Sequence, residues 1–179
     1  NQTDNLLALA RAGVSSFKIE GRLKDLSYVK NITAHYRTLL DELIAENPEF
    51  TRASSGKSAF TFRPQPDKTF NRGYTDYFAN DRQDDIGTFD SPAFVGEPVG
   101  EVGEIGSGWF TVVADQAIHN GDGVCFYDAR GEVLGLRINR AEGNWLFPAE
   151  MPVELTAGTT LFRNRDQEFE RALEQESAE

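Results

Sequence analysis

The sequence is short of several residue types, and each shortage removes a class of chemistry. It holds one cysteine, Cys125, among 179 residues. A lone thiol can neither close an internal disulfide nor build a cysteine metal cluster. Its setting, VCFYD, is an apolar strand-like run that predicts a buried structural thiol rather than a nucleophile or ligand. So little cysteine suits a reducing compartment, and a cytoplasmic location is expected. There are two histidines. His35 falls within a helical pattern and reads as a partly exposed side chain. His119 has no second histidine or carboxylate at ligand spacing and reads as a surface residue. No nucleophile–His–Asp set and no HExxH metal pattern occurs, so peptide hydrolysis finds no support in these residues. No apolar run approaches the ~20 residues of a membrane helix, and no signal-peptide pattern is present. The chain opens mid-pattern on NQTDNLL without an initiating methionine, and a piece of a longer protein is expected.

Positive charge is scarce and unevenly placed. The chain has 18 Lys and Arg against 29 Asp and Glu, a net charge of −11. Residues 1–75 carry +3 and residues 76–179 carry −14. The acidic half repels a polyanion, so any nucleic-acid contact is expected in the first half. Most of the carboxylates read as a solvated surface.

Against these shortages stands one dense stretch, Ser15–Arg37, which reads as a strand, a polar loop and a long helix. In the expected buried strand Val14–Glu20, Phe17 and Ile19 share one face and Lys18 and Glu20 the other. Gly21 permits a sharp turn, and Arg22 and Lys24 follow at once. Ionisable residues leaving a strand end fit either an active-site mouth or a salt bridge on a sheet rim. The helix is expected over Leu26–Glu46, with Val29, Ile32, Tyr36, Leu39, Leu40 and Leu43 as its apolar stripe. Asp25 or Ser27 could cap it, and Asn47-Pro48 ends it. Lys30 and Arg37 lie off the stripe. The sequon Asn31-Ile32-Thr33 sits mid-helix and reads as chance. Before this stretch, Thr3 or Asp4 could cap a short helix bearing Leu6, Leu7, Leu9 and Ala10, with Gly13 just past its end.

The segment SFKIEGRLKDLSYVKN with Tyr36-Arg37 resembles the hallmark of the peptidase U32, or collagenase-like, family. KTFNRGYTDYF, from Lys68 to Phe78, resembles a second motif of that family. KDLSYVKN and RGYTDYF, with IGTFDSP and NGDG, are most similar to the branch that hydroxylates a cytidine in bacterial 23S ribosomal RNA. A transfer-RNA-hydroxylating relative and the historical peptidase are the alternatives within the family. A non-catalytic β-barrel docking onto RNA or protein is the alternative outside it.

After the helix, Phe50–Phe78 reads as loop, with Phe60 and Phe62 alternating as in a short strand. Gly56-Lys57-Ser58 echoes a phosphate loop, but the first glycine of that motif is Thr51 here and no strand precedes it. Phe70, Arg72, Tyr74, Tyr77 and Phe78 interleave aromatics with a cation. That set could stack on bases or pin the loop. From Ser91, six short strands are expected: Val99–Ile105, Trp109–Ala114, Gly123–Tyr127, Val133–Asn139, Trp145–Phe147 and Thr160–Arg163. They suggest a small antiparallel barrel resembling the second domain of elongation factors. Asp122 reads as a turn-former. A charged helix over Asn164–Glu176, capped by Asn164 or Asp166, carries Phe169 and Leu173 on its inner face.

The expected fold is thus α+β: residues 1–47 as a helix–strand–helix remnant of a TIM-like α/β barrel, 48–90 as connector, 91–164 as β-barrel and 165–179 as helix and tail. Stripped of its neighbours, the remnant would expose apolar surface and favour a homodimer or packing onto the small barrel. The resemblance implies Glu20 as an acid/base or anchor, Lys18 as a second charge at the catalytic site and Arg22 as a clamp on carboxylate or phosphate. Lys24, Arg37, Arg72 and Tyr74 are the further substrate-binding candidates. It also implies an iron–sulfur cluster, its cysteines upstream, and prephenate as co-substrate. On that basis the longer protein hydroxylates RNA, and this chain alone is inert.

Overall fold

The computed structural model describes residues 1–71, 74 and 94–176. They fall into two compact units, one of residues 1–66, 74 and 172–176, the other of residues 67–71 and 94–171.

In the first unit a 3-10 turn at Thr3–Asn5 leads into helix α1, Leu6–Arg11. Neither Thr3 nor Asp4 caps α1, because the 3-10 turn occupies the cap position. The Thr3 hydroxyl instead meets Asn1 Oδ1 at 2.7 Å and His35 Nε2 at 2.9 Å. Gly13 ends α1 as expected, with φ of 97° and its amide on the Ala10 carbonyl. Helix α2 spans Leu26–Glu46, the bounds read from the stripe. Asp25 caps it, accepting the Tyr28 amide at 2.8 Å. Its buried residues are Asn31, Ile32 and Ala34, whereas Val29 is largely exposed. Asn31 clasps Gln65 in both directions, donating to its carbonyl at 2.7 Å and accepting its amide at 2.8 Å. Fully buried in this way, the Asn31 amide is closed to glycosylation.

The expected strand Val14–Glu20 is not buried and pairs with no strand among the described residues. A single strand has no partner here to satisfy its backbone, so the segment stays open and mostly exposed. Phe60 and Phe62 also form no strand, although their rings lie 6.0 Å apart.

The second unit is a closed antiparallel barrel of β1 Glu97–Gly106, β2 Trp109–Ala114, β3 Gly123–Tyr127, β4 Val133–Glu142, β5 Trp145–Pro148 and β6 Thr160–Arg165. The strands run in the order β1-β2-β5-β4-β3-β6, and β6 pairs back onto β1. Alternation places Val99, Val102, Phe110, Val112, Val124, Phe126, Ile138, Leu146 and Leu161 inside, with Ile118 and Leu155 joining them. Each such side chain contributes about 1.5–3 kcal/mol on leaving water. Gly96 is required where β1 begins, because its φ is 85° and a Cβ there would lie 1.9 Å from the Arg163 carbonyl. Cys125 is fully buried, as expected, and its thiol points to the Val95 carbonyl at 3.3 Å. Helix α3, Gln167–Glu174, is capped by Asp166, whose Oδ1 accepts the Phe169 amide at 3.0 Å. Phe169 and Leu173 are its buried residues, as expected.

A buried ionic cluster anchors α3 in this unit. Arg163 donates to the Ala117 carbonyl at 3.0 Å, Glu97 at 2.8 Å and Gln116 at 2.6 Å. Its guanidinium also lies 3.7 Å from Asp122 and 3.6 Å from Asp166. Asp122 does close its turn, accepting the His119 amide at 2.9 Å, but its other oxygen accepts the Gln167 amide at 2.8 Å. Lys68 bonds the outer oxygen of Asp166. Burial alone pushes the Asp166 carboxyl up, but the Lys68 bond, the Phe169 amide and the Arg163 charge hold it below the ordinary carboxylate range.

Candidate functional site

The chemistry-bearing residues of the first unit lie at two places. One is the open segment between α1 and α2. Lys18 Nζ and Glu20 Oε1 meet at 2.9 Å, with their side chains 84% and 73% exposed. In water such a pair is worth only ~0.2–1 kcal/mol, so either partner is available to a ligand. Gly21 to Lys24 then form a tight turn closed by the Lys24 amide on the Gly21 carbonyl at 3.0 Å.

At the apex stand Arg22 and Leu23. Leu23 is the non-glycine residue with positive φ among the described residues, at 60°. A leucine in that conformation carries roughly 1–2 kcal/mol of strain. It is also 94% exposed, so burial of its side chain offsets none of this. Tyr28, in the first turn of α2, braces both stems of the turn. Its hydroxyl donates to the Glu20 carbonyl at 3.4 Å, and its ring lies 6.0 Å from the Lys24 ammonium.

The second place is a groove of about 510 Å³ between residues 13–17, α2 and residues 50–54. Leu40, Leu43, Ile44 and Phe50 give it an apolar floor, and Arg37 and Arg52 line it. Arg37 is bound to Asp41 through two nitrogens, and Arg52 Nε lies 3.7 Å from the same carboxylate. Arg52 Nε is buried and makes no hydrogen bond among the described residues. Tyr36, beside Arg37 in sequence, turns elsewhere: its hydroxyl donates to Asn1 at 2.8 Å and accepts the Gln2 amide at 3.1 Å.

The structure therefore brings Lys18 and Glu20 together, sets Arg22 and Lys24 in the adjoining turn, and places Arg37 in the groove with Asp41. Tyr74 is exposed. Arg72 lies outside the described residues, as do Tyr77, Phe78 and IGTFDSP. Sequence reasoning passed over Leu23 and Arg52. Leucine carries no signal for a left-handed turn, and a single arginine in a loop has no pattern. It also passed over an outer face of the barrel where the Trp109 and Trp145 rings lie 4.3 Å apart and Arg140 stacks 3.9 Å over Phe147.

The described residues do not fit an iron–sulfur cluster. Cys125 is buried against the Val95 carbonyl, on the face of β3 opposite Val124 and Phe126, and burial pushes its thiol up to about 11, away from the thiolate a metal needs. No group of three or more His, Cys, Asp or Glu among the described residues could hold a metal ion. Among the same residues no helix is long and apolar enough to cross a membrane.

Residues 1–88 match the model of peptidase family U32. The whole chain is 48% identical over 187 aligned positions to the 23S rRNA 5-hydroxycytidine C2501 synthase of Escherichia coli (strain K12). The chain spans 28% of the length of that relative. No solved structure matches the chain significantly.

Proposed function

We propose that this chain, whose residues 1–88 match the model of peptidase family U32, works as part of a longer cytoplasmic enzyme that hydroxylates a cytidine in 23S ribosomal RNA. The observation that carries this reading is the 48% identity maintained along all of the chain to a synthase of 5-hydroxycytidine. The peptidase label of the family draws no support from the described residues, among which no nucleophile–His–Asp set is found.

In this reading Val14–Glu20 and α2 are a strand and helix of an α/β barrel completed by the rest of the longer protein. The lack of a strand partner among the described residues and the exposed Val14 and Ile19 support it, since both are what a strand shows when its neighbours are missing. Residues at the end of a barrel strand face the reaction. Glu20 then serves as acid/base or as anchor for a polar group of the substrate. Arg22 clamps a carboxylate or phosphate, and Lys18 and Lys24 add positive charge. Arg37 holds the neighbouring groove in shape through Asp41, and Arg72 and Tyr74 contribute base or phosphate contacts. The β-barrel, of the kind found as the second domain of elongation factors, is the docking part. The cluster and the prephenate site belong to the remainder of the longer protein, so the chain alone is inert.

Nucleoside mass spectrometry of large-subunit RNA tests the reading. Deleting the gene should abolish 5-hydroxycytidine, and the complete gene should restore it. An unchanged nucleoside would overturn the assignment and bring a transfer-RNA-modifying role forward.

A further inference from the structure

We propose that the outer face of β2 and β5 is a docking site for an arginine-bearing segment of a partner protein, with the paired rings of Trp109 and Trp145 as its seat. This gives a partner class to the docking role assigned to the barrel above and rests on that role. Its test is free of the RNA chemistry, so either can fail alone.

The register puts the seat on the outside. Phe110 of β2 pairs with Leu146 of β5, and both lie in the core. Side chains alternate along a strand, so Trp109 and Thr111 on one strand and Trp145 and Phe147 on the other turn outward. Val113 continues that row and is 75% exposed, and Trp145 is 43% exposed. Unlike the segment Val14–Glu20, these strands lack no neighbour. The barrel is closed, and β2 and β5 are each paired on both sides. An absent strand therefore does not account for the exposed aromatic surface.

The seat is also built. A Cβ on Gly106 would lie 2.2 Å from the Trp109 ring, so that ring rests against the bare backbone of β1. Its centroid is 4.3 Å from that of Trp145, with the planes at 47°. Thr111, beside the rings, is fixed by accepting the Glu104 amide on its hydroxyl at 2.8 Å. Arg140 covers Phe147 at 3.9 Å. Indoles held in place before a partner arrives lose little freedom on binding.

Chemistry selects the occupant. Trp, Phe and Arg concentrate at protein interfaces, and Trp and Arg carry much of the binding energy there. The register sets Glu142 opposite Trp145 and Glu101 opposite Val113, with Glu104 bonded to Thr111. Arg140 lies 3.4 Å from Glu142 and offsets one of these carboxylates. Aromatic faces among carboxylates attract a cation, and a planar guanidinium stacks on indole as an ammonium cannot. Residues 76–179 carry −14, which opposes a phosphate backbone at the same place.

The chain has two tryptophans, and both belong to the seat, so its intrinsic emission reports the site directly. The probes are fluorescein-labelled octapeptides of alternating arginine and glycine or lysine and glycine, with unlabelled versions for the emission measurement, and the RNA octauridylate. The arginine peptide should shift the emission saturably and bind about tenfold more tightly than the lysine peptide of equal charge. Trp145→Leu, which keeps apolar bulk, should weaken the arginine peptide about tenfold, and Trp145→Phe should recover most of the loss. Equal affinity for the two peptides, or full affinity in Trp145→Leu, overturns the site. So does a larger emission change with octauridylate, which would give the face to RNA. The longer protein should bind the arginine peptide as tightly as the chain does, read by fluorescence anisotropy. Loss of binding there would show that the rest of the protein covers the face, and would overturn the partner.

Discussion

Lys68 and Asp166, 98 residues apart in the chain, form an ion pair in which both side chains are largely buried. The same carboxylate caps α3 and faces Arg163, so one group ties the residue-67 segment, β6 and the helix together. Its folded pKa lies below the ordinary carboxylate value, so the unfolded chain takes up the proton first as pH falls. The stabilisation is therefore complete above the unfolded value of about 3.9 and is lost as pH drops through the folded one. Urea unfolding of the chain between neutral pH and pH 3 should show that loss, and Asp166→Asn should flatten the acid limb. An unchanged acid limb in Asp166→Asn would show that another carboxylate governs it.

Arg163 donates to several acceptors at once and lies 3.7 Å from Asp122, which has no exposure. Removing one partner of a buried ionic set leaves the other uncompensated, at a cost of about 3–5 kcal/mol. Arg163→Ala should lose stability on that scale in denaturant titration. A loss below about 1 kcal/mol would mean that water takes over the role of the guanidinium.

The Cys125 thiol, pushed up to about 11 by burial, should be inert in the native chain. A thiol reagent at pH 8 should label it only at the rate of unfolding, and urea should release full reactivity. Fast labelling of native protein would place the thiol at the surface.

Leu23→Gly should stabilise the isolated chain. Relief of roughly 1–2 kcal/mol of left-handed strain exceeds the ~0.5–1 kcal/mol entropic cost of glycine, and no buried contact is lost. A rise in the midpoint of thermal unfolding is expected. A fall in stability would mean that the side chain packs in the folded chain.

Much of the fold was readable because its periods are strong. The stripe from Val29 to Leu43 bounds α2 correctly, and alternation between glycine turns bounds β2 and β3 correctly. β4 runs past Asn139 to Glu142 because a register shift between Ile138 and Arg140 keeps the pairing with β5. Alternation breaks at such a shift, so the extension has no signal in the sequence. The ionic cluster was invisible for a different reason. Lys68, Asp122 and the Arg163–Asp166 pair come from three distant stretches, and Asp122 and Asp166 read in sequence only as a turn-former and a helix cap. Val14–Glu20 has the composition of a buried strand, but composition cannot supply the neighbours that would bury it. At the site, Lys18, Glu20, Arg22 and Lys24 were legible as a charged run after an apolar pair, whereas the strain at Leu23 appears only in the backbone.

The proposed function puts RNA at the turn following Glu20. The most direct measurement is 5-hydroxycytidine in large-subunit RNA from deletion cells carrying the complete gene with Arg22→Ala, beside cells carrying the unaltered gene at equal protein level. Loss of a charge-assisted clamp should lower the modified nucleoside about tenfold or more. Full modification by the Arg22→Ala protein would contradict the account and move the site away from this turn.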